Sequence, residues 1–498
     1  MITGGIFKAN DIRGVIGAPG AEWDADGVRA VGVAFVEEFG LTGREFVMGR
    51  DMRVTGPEVA AAFTDGARSA GASAVDIGLA STDQLWYASG TLGVHGVQFT
   101  ASHNPGEYNG VKFCLPGAAP VSAASLVRMR DAALRYDGLR DAALRDPAAA
   151  MDAALEDAAL SDANQLGPAD SVAATHDPAA NSHPPTTPPG SVRTLDVLAD
   201  YGEYLRSLVD LDGLRPLKVV VDAGNGMAGH TTPAVLGPLG LDLVGLYLDL
   251  DGTFPNHLPN PLVPENLVDA RRAVIEHAAD LALVFDGDAD RCFIIDERGE
   301  VVDPSVVTAL IAAQELAHEP GGTIVINTIT SRAVAEVVGR LGGHLVISRV
   351  GHTSVKAHMA EHGAIFGGEH SAHYYFRDFW GADTGMLAAL NVLSMLGRGT
   401  ASMSELAGQF AGYIGSGEIN TAVPAVAPVL RRFVAAFAAR GKIDETDGVT
   451  ASGPDWWVNV RASNTEPLLR LNVEARDPAT MAALRDEALA IIEGGAHE

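Results

Sequence analysis

Leu281-Ala282-Leu283-Val284-Phe285-Asp286-Gly287-Asp288-Ala289-Asp290-Arg291 is the stretch on which the fold turns. Five apolar residues running straight into a glycine-bearing acidic turn read as a buried strand, the kind found in the sheets of α/β domains. Three carboxylates at alternating positions in such a turn suit one hard divalent cation, which takes oxygen ligands. A calcium EF-hand is excluded, because Arg291 occupies the position that needs glycine and a strand precedes the loop where a helix should.

Outward from this run the same alternation recurs. Strands are expected over 44–49, 73–79, 97–100, 217–222, 323–327, 345–348 and 364–366, and helices from Thr55 with Pro57 to about 70, over 331–341 and over 352–362. Alternation of this length predicts α/β domains with mixed, mainly parallel sheets. The end of the chain differs, with a helix from Pro428 to 439, strands over 457–460 and 468–473 and a helix over 478–492, a small α+β domain.

The 498 residues are enough for three or four domains at about 100–200 residues each. Boundaries are expected at 1–130, 194–301, 302–412 and 413–498. Residues 131–193 stand apart. Their first half is an Ala-rich repeat (Asp131-Ala132-Ala133-Leu134-Arg135, Asp141-Ala142-Ala143-Leu144-Arg145) that reads as a marginal helix. Their second half, through Pro184-Pro185 and Pro188-Pro189, reads as a disordered, low-complexity insertion.

Lys plus Arg number 35 against 63 Asp plus Glu, a net charge of −28. Such a field repels nucleic acid and anionic membrane surfaces, so neither is expected as a partner. No apolar run reaches the roughly 18 residues of a membrane span, and the start has no signal-peptide core; a soluble, cytoplasmic protein is expected, as monomer or dimer. Cys114 and Cys292 are too few and too separate for a disulfide framework.

Three further turns carry chemistry. Thr100-Ala101-Ser102-His103-Asn104-Pro105 follows a strand, which exposes the Ser102 hydroxyl where α/β domains bind ligands. Gly367-Gly368-Glu369-His370-Ser371-Ala372-His373 alternates Glu369 with Ser371, so an extended loop would aim both side chains at neighbouring sugar hydroxyls. Arg461-Ala462-Ser463-Asn464-Thr465-Glu466-Pro467 has the composition of a phosphate clamp.

In this combination and order, with Asp11-Ile12-Arg13-Gly14 near the start, the four motifs resemble the α-D-phosphohexomutase superfamily, in its phosphomannomutase/phosphoglucomutase branch. The resemblance implies three related α/β domains and a C-terminal α+β domain around a central cleft. It makes Ser102 a phosphoserine, with Asp286, Asp288 and Asp290 holding Mg²⁺ together with the residue-102 phosphate. A phosphoserine brings about −1.5 to −2 charge, which beside three carboxylates needs that cation. Glu369 and Ser371 would read the sugar, and Arg461, Ser463, Asn464 and Thr465 would grip its distal phosphate. His103 and Lys112 are the candidate acid and base, with Arg13, Arg291 and His352 adding positive potential for the moving phosphoryl group. The implied reaction interconverts mannose 6-phosphate and mannose 1-phosphate, and also glucose phosphates, with a hexose 1,6-bisphosphate as intermediate and activator. A phosphoglucomutase-dominant enzyme, a non-catalytic phosphosugar-binding protein and a phosphatase are the rival readings. Asn10 and Ile329 depart from the family pattern, at positions where relatives carry an aromatic residue and a cleft lysine.

Overall fold

A computed structural model describes residues 1–145, 188–462 and 468–494. In the first domain, strands β1 (Ile12–Val15), β2 (Glu45–Arg50), β3 (Ser73–Leu79), β4 (His95–Phe99), β5 (Tyr108–Leu115), β6 (Ala119–Pro120) and β7 (Val192–Thr194) form one sheet. Its order is β1-β5-β4-β2-β3-β7, with β6 beside β5. Strands β4, β2, β3 and β7 run parallel, whereas β1, β5 and β4 pair antiparallel. Helices α1 (Ala25–Phe39), α2 (Gly56–Ser69), α3 (Thr82–Leu92) and α4 (Ala123–Arg145) complete it.

The second domain holds α5 (Leu198–Ser207), β8 (Lys218–Asp222), α6 (Ala228–Val235), β9 (Asp242–Leu246), α7 (Val268–His277), β10 (Leu281–Phe285), β11 (Cys292–Asp296) and β12 (Val301–Val302). The third holds α8 (Pro304–His318), β13 (Thr323–Asn327), α9 (Arg332–Arg340), β14 (His344–Ser348), α10 (His352–His362), β15 (Phe366–Gly368), β16 (Tyr374–Phe376), β17 (Ala382–Asp383), α11 (Gly385–Arg398) and α12 (Met403–Gly408). Their sheets, β12-β11-β10-β8-β9 and β14-β13-β15-β16-β17, repeat the plan of three parallel strands extended by an antiparallel pair. The last domain is an antiparallel sheet of β18 (Ile414–Gly415), β19 (Ile419–Ala422), β20 (Lys442–Asp444), β21 (Val449–Ser452), β22 (Trp456–Ala462) and β23 (Leu468–Ala475) with helices α13 (Val426–Phe437) and α14 (Pro478–Glu493).

Local chemistry accounts for these elements. β10 is buried at all five positions, as its unbroken apolar run requires. Ser331 and Asp477 cap α9 and α14 by accepting the N–H of Ala333 and Thr480. Pro428 lies at the third position of α13 instead of the first, still within the turn whose N–H groups need no intrahelical partner. Thr55 precedes α2 without capping it; its hydroxyl instead accepts from Asn109 Nδ2 at 3.0 Å.

The segment 131–193 departs from expectation at both ends. Helix α4 runs through the 130/131 boundary to Arg145, and Ala132 and Ala133 are buried in the first domain's core, because the repeat offers small residues that let the helix approach closely. Residues 192–194 are not linker but an edge strand on β3. Residues 146–187, the rest of the expected insertion, lie outside the described residues.

The cores decide how the domains relate. One apolar cluster runs from Trp86 through Val221 and Phe285 to Phe366 and Leu390, and so belongs to the first three domains together. The C-terminal domain keeps its own, around Phe433, Val458 and Leu471. It meets the third domain through polar contacts: Arg332 N–H to Glu474 Oε2 at 3.0 Å, Arg349 Nε to the Thr446 carbonyl at 2.7 Å, and Arg476 to Glu336 at 2.6 Å.

Candidate active site

The loop after β4 turns back sharply, with Ser102 in the left-handed region at φ 51°. Three of its carbonyls, those of Ser102, Asn104 and Pro105, and that of Tyr108 at the start of β5 accept from the guanidinium of Arg53 at 2.7–2.9 Å, and Arg53 Nε donates to Asp51 at 3.1 Å. All five guanidinium N–H groups are thus used on a side chain that is fully buried. Sequence reasoning did not find Arg53; a lone arginine in a turn carries no motif.

The acidic loop of the second domain closes over this one. A Cβ on Gly287 would collide with the carbonyl of Ser102, so glycine there permits the approach. The Ser102 hydroxyl donates to Asp286 Oδ2 at 2.8 Å. Arg291 Nη2 donates to Ser102 Oγ at 3.2 Å and to His103 Nδ1 at 2.5 Å, while its Nε donates to Asp286 Oδ2 at 2.8 Å. Lys112 Nζ bridges Asp288 Oδ2 at 2.7 Å and Asp290 Oδ2 at 2.5 Å. Arg13 pairs with Asp11 at 2.7 Å and donates to Asn104 Oδ1 at 3.1 Å. Serine, three aspartates and three cations drawn from two domains therefore meet in one buried place.

Burial pushes the Asp286 carboxyl up, with Asp288 and Asp290 adding to it and Arg291 opposing. Asp288 is held low: burial would raise it, but Lys112 and the Thr82 hydroxyl outweigh that. Burial, then Arg291 and Arg13, push the His103 imidazole well below its ordinary value, so it is neutral. His352 was expected to add positive potential and does not. Burial drives it down to about 4, with Lys356 and Lys112 acting the same way against Asp383, so near pH 7 it is an uncharged proton acceptor.

The residues present fit a divalent cation. Ligand atoms of Asp286, Asp288 and Asp290 lie within 4.8 Å of one another. Asp288 Oδ1 and Asp290 Oδ1 are buried without a hydrogen-bond partner, whereas the Oδ2 atoms are taken by Lys112. Asp290 Oδ1 has Arg291 Nε at 3.9 Å and His373 Nε2 at 3.6 Å, whereas a buried oxygen as bare as Asp288 Oδ1 is costly unless something positive meets it.

The Glu369 loop differs from its expected form. Residues 369–373 make a tight turn, with Ala372 N–H on the Glu369 carbonyl at 3.0 Å and Ala372 at φ 65°, so Glu369 and Ser371 are not related by strand alternation. Glu369 is buried; Asn327 Nδ2 and the Gly351 N–H donate to its Oε1 at 2.9 and 3.1 Å, and the Tyr375 hydroxyl to its Oε2 at 2.6 Å. Ser371 Oγ lies 3.0 Å from His373 Nδ1, and His373 Nε2 lies 3.6 Å from Asp290 Oδ1, which joins this loop to the acidic one. Asn10 accepts the Thr353 hydroxyl at 2.6 Å beside His352, and Ile329 is buried. Arg461, near the end of β22, pairs with Glu418 at 2.5 Å. Ser463, Asn464 and Thr465 lie outside the described residues.

Comparison with known proteins gives four consecutive matches: phosphoglucomutase/phosphomannomutase alpha/beta/alpha domain I at residues 4–136, domain II at 199–299, domain III at 303–413, and the C-terminal domain at 418–491. A phosphomannomutase of Salmonella montevideo is 36% identical over 495 residues, covering 98% of both chains. One from Escherichia coli is 37% identical over 497 residues, covering 98% of this chain and 99% of that one. The crystal structure of a phosphoglucomutase/phosphomannomutase family protein from Burkholderia thailandensis superposes with a TM-score of 0.82 at 31% identity, covering 100% and 99% of the two chains. Likeness at this level from end to end, through all four domains in the same order, means that the chain belongs to the phosphoglucomutase/phosphomannomutase family.

Proposed function

We propose that the protein is a phosphomannomutase, interconverting mannose 6-phosphate and mannose 1-phosphate and also acting on glucose phosphates, which differ only at C2. The observation that carries this is the 2.8 Å approach of the Ser102 hydroxyl to the Asp286 carboxylate beside the buried Oδ1 atoms of Asp288 and Asp290, neither of which has a hydrogen bond. A hydroxyl so placed can carry a phosphoryl group within reach of a cation held by Asp286, Asp288 and Asp290. The hard oxygen set favours Mg²⁺, which when bound offsets phosphate charge and polarises the phosphoryl group.

In the first half-reaction the bond from phosphorus to Ser102 Oγ breaks and a bond from phosphorus to a sugar hydroxyl oxygen forms, while the hydroxyl proton passes to a base. The resulting hexose 1,6-bisphosphate turns over, and its other phosphate returns to Ser102. Arg291 donates to the oxygen that departs and stabilises its charge, with Arg13 close by. His103 Nδ1 accepts from Arg291, so this nitrogen is engaged. Lys112, whose ammonium two carboxylates hold protonated, supplies fixed positive charge. His103 through Nε2 and His352 are the two uncharged imidazoles at the site that can take the sugar proton. Arg461 with Ser463, Asn464 and Thr465 would grip the distal phosphate, and Glu369 and Ser371 the ring hydroxyls, in both orientations.

Intact-mass measurement before and after incubation with a hexose 1,6-bisphosphate tests the reading. A gain of one phosphoryl group, absent from Ser102→Ala, is expected, together with turnover of mannose 1-phosphate in a coupled assay with Mg²⁺ and the bisphosphate primer. No mass gain and no turnover of either sugar would overturn it, and inorganic phosphate as main product would make the protein a phosphatase.

A further inference from the structure

Helix α3 of the first domain begins against the acidic loop of the second. Thr82, its first residue, is fully buried and makes two bonds to one partner: its N–H donates to the Asp288 carbonyl at 2.9 Å and its hydroxyl to Asp288 Oδ2 at 2.6 Å. Lys112 donates to the same Oδ2 at 2.7 Å. One oxygen of Asp288 thus has two donors, while Oδ1 of the same carboxylate has none and is buried. A buried carboxylate ordinarily finds partners for both oxygens. Held on one side only, Asp288 has lost its freedom to rotate and keeps Oδ1 for something else.

The start of α3 is itself keyed into both neighbouring domains. Ser81 accepts the Gln84 N–H as its cap. The buried Asp83 carboxylate accepts hydroxyl bonds from Ser81 at 2.5 Å, from Tyr201 of the second domain at 2.7 Å and from Thr384 of the third at 2.6 Å. Trp86 Nε1 donates to Asp383 Oδ1 at 3.1 Å, and Lys356 Nζ, paired with Asp383 at 2.6 Å, lies 4.3 Å above the Trp86 ring. Thr82 therefore acts from a frame that cannot shift unless three domains shift.

We propose that Thr82 is a positioning residue for the divalent cation: its hydroxyl and amide fix Asp288 so that Oδ1 faces the ion, which makes cation affinity depend on how the first domain docks on the second. This rests on the reading of the three aspartates as a cation site. Outer partners of metal ligands act in this way generally, because they remove rotamer freedom from the ligand before the ion arrives.

Valine has the shape of threonine without its hydroxyl, so it separates orientation from mere filling of the seam. The test is Mn²⁺ binding to the full-length, unphosphorylated chain, followed by electron paramagnetic resonance, with Asp286→Asn locating the bound ion at the triad. Thr82→Val should weaken binding about 10-fold, at the low end of the usual 10- to 100-fold for such partners, and Thr82→Ser should stay within about twofold of the parent. Parental affinity in Thr82→Val, or a Thr82→Ser as weak as Thr82→Val, overturns the assignment. Should the valine variant not fold, Thr82→Ala repeats the measurement with the same criterion. A parent that binds no Mn²⁺, or binding untouched by Asp286→Asn, instead overturns the cation site itself.

Discussion

Arg53 and Asp83 show what single buried charges do for this protein. Arg53 holds the Ser102 turn by four carbonyls and pairs with Asp51, both side chains being fully buried. Arg53→Met leaves Asp51 an uncompensated buried charge, and a loss of about 3–5 kcal/mol is expected in chemical denaturation. A change below about 1 kcal/mol would show that the loop holds itself. Asp83 gives a pH dependence. Burial, against its three hydroxyl donors, pushes its carboxyl up to about 6. The folded value lies above the unfolded one, near 3.9, so the folded chain binds this proton more tightly. Its contribution is fully present below about pH 4 and is lost as pH rises through about 6, a change of about 3 kcal/mol for two pKa units. The stability of the parent relative to Asp83→Asn should fall by about 2–3 kcal/mol from pH 4 to pH 7, and an unchanged relative stability would place the proton elsewhere.

Helix α3 is the element most constrained by its surroundings. Gly90 faces Trp380 of the third domain so closely that a Cβ would enter the indole ring. Trp380 in turn stacks on Tyr204 at 5.3 Å, and Tyr87 meets Tyr201 and Tyr204 at 5.9 and 5.4 Å. Adding one methyl to a filled seam forces side chains off their rotamers, and Gly90→Ala should cost about 1–3 kcal/mol despite alanine's better helix propensity. A thermal midpoint equal to or above the parent's would mean that the seam has room. The Glu369 loop shows how an element changes what a motif means. Alternation implied an extended loop, but β15 and β16 pair antiparallel, so the residues between them must turn, and the Glu369 carboxylate is drawn under the turn by Asn327, Gly351 and Tyr375.

Across the whole molecule, one apolar cluster joins the three α/β domains, the first of which also keeps a core of its own, and the fourth is attached by hydrogen bonds and ion pairs. Polar domain seams permit relative motion more readily than apolar ones. Amides of β19–β23 should therefore exchange faster than those of β8 and β10 in the free protein, and the stretches around 328–350 and 444–447 that form the seam should gain protection when a hexose phosphate bridges the cleft. Equal exchange in both sheets, unchanged by the sugar phosphate, would indicate one rigid body. The same arrangement explains how Arg461 is carried on a domain separate from the one that carries Ser102.

By itself the sequence determined the α/β plan, because strands such as 281–285 and the turns that follow them are set by patterns a few residues long. That Ser102, Asp286, Asp288 and Asp290 stand in turns directly after strands was legible for that reason. Their meeting was decided by tertiary structure alone: Ser102 and Asp286 are 184 positions apart, and Thr82 and Asp288 are 206 apart. Arg53, Thr82 and Asp83 carry no local signature, since a buried polar residue shows its purpose only through partners brought to it from other domains. The charge of His352 was decided in the same way, by burial and by neighbours that no spacing along the chain reveals.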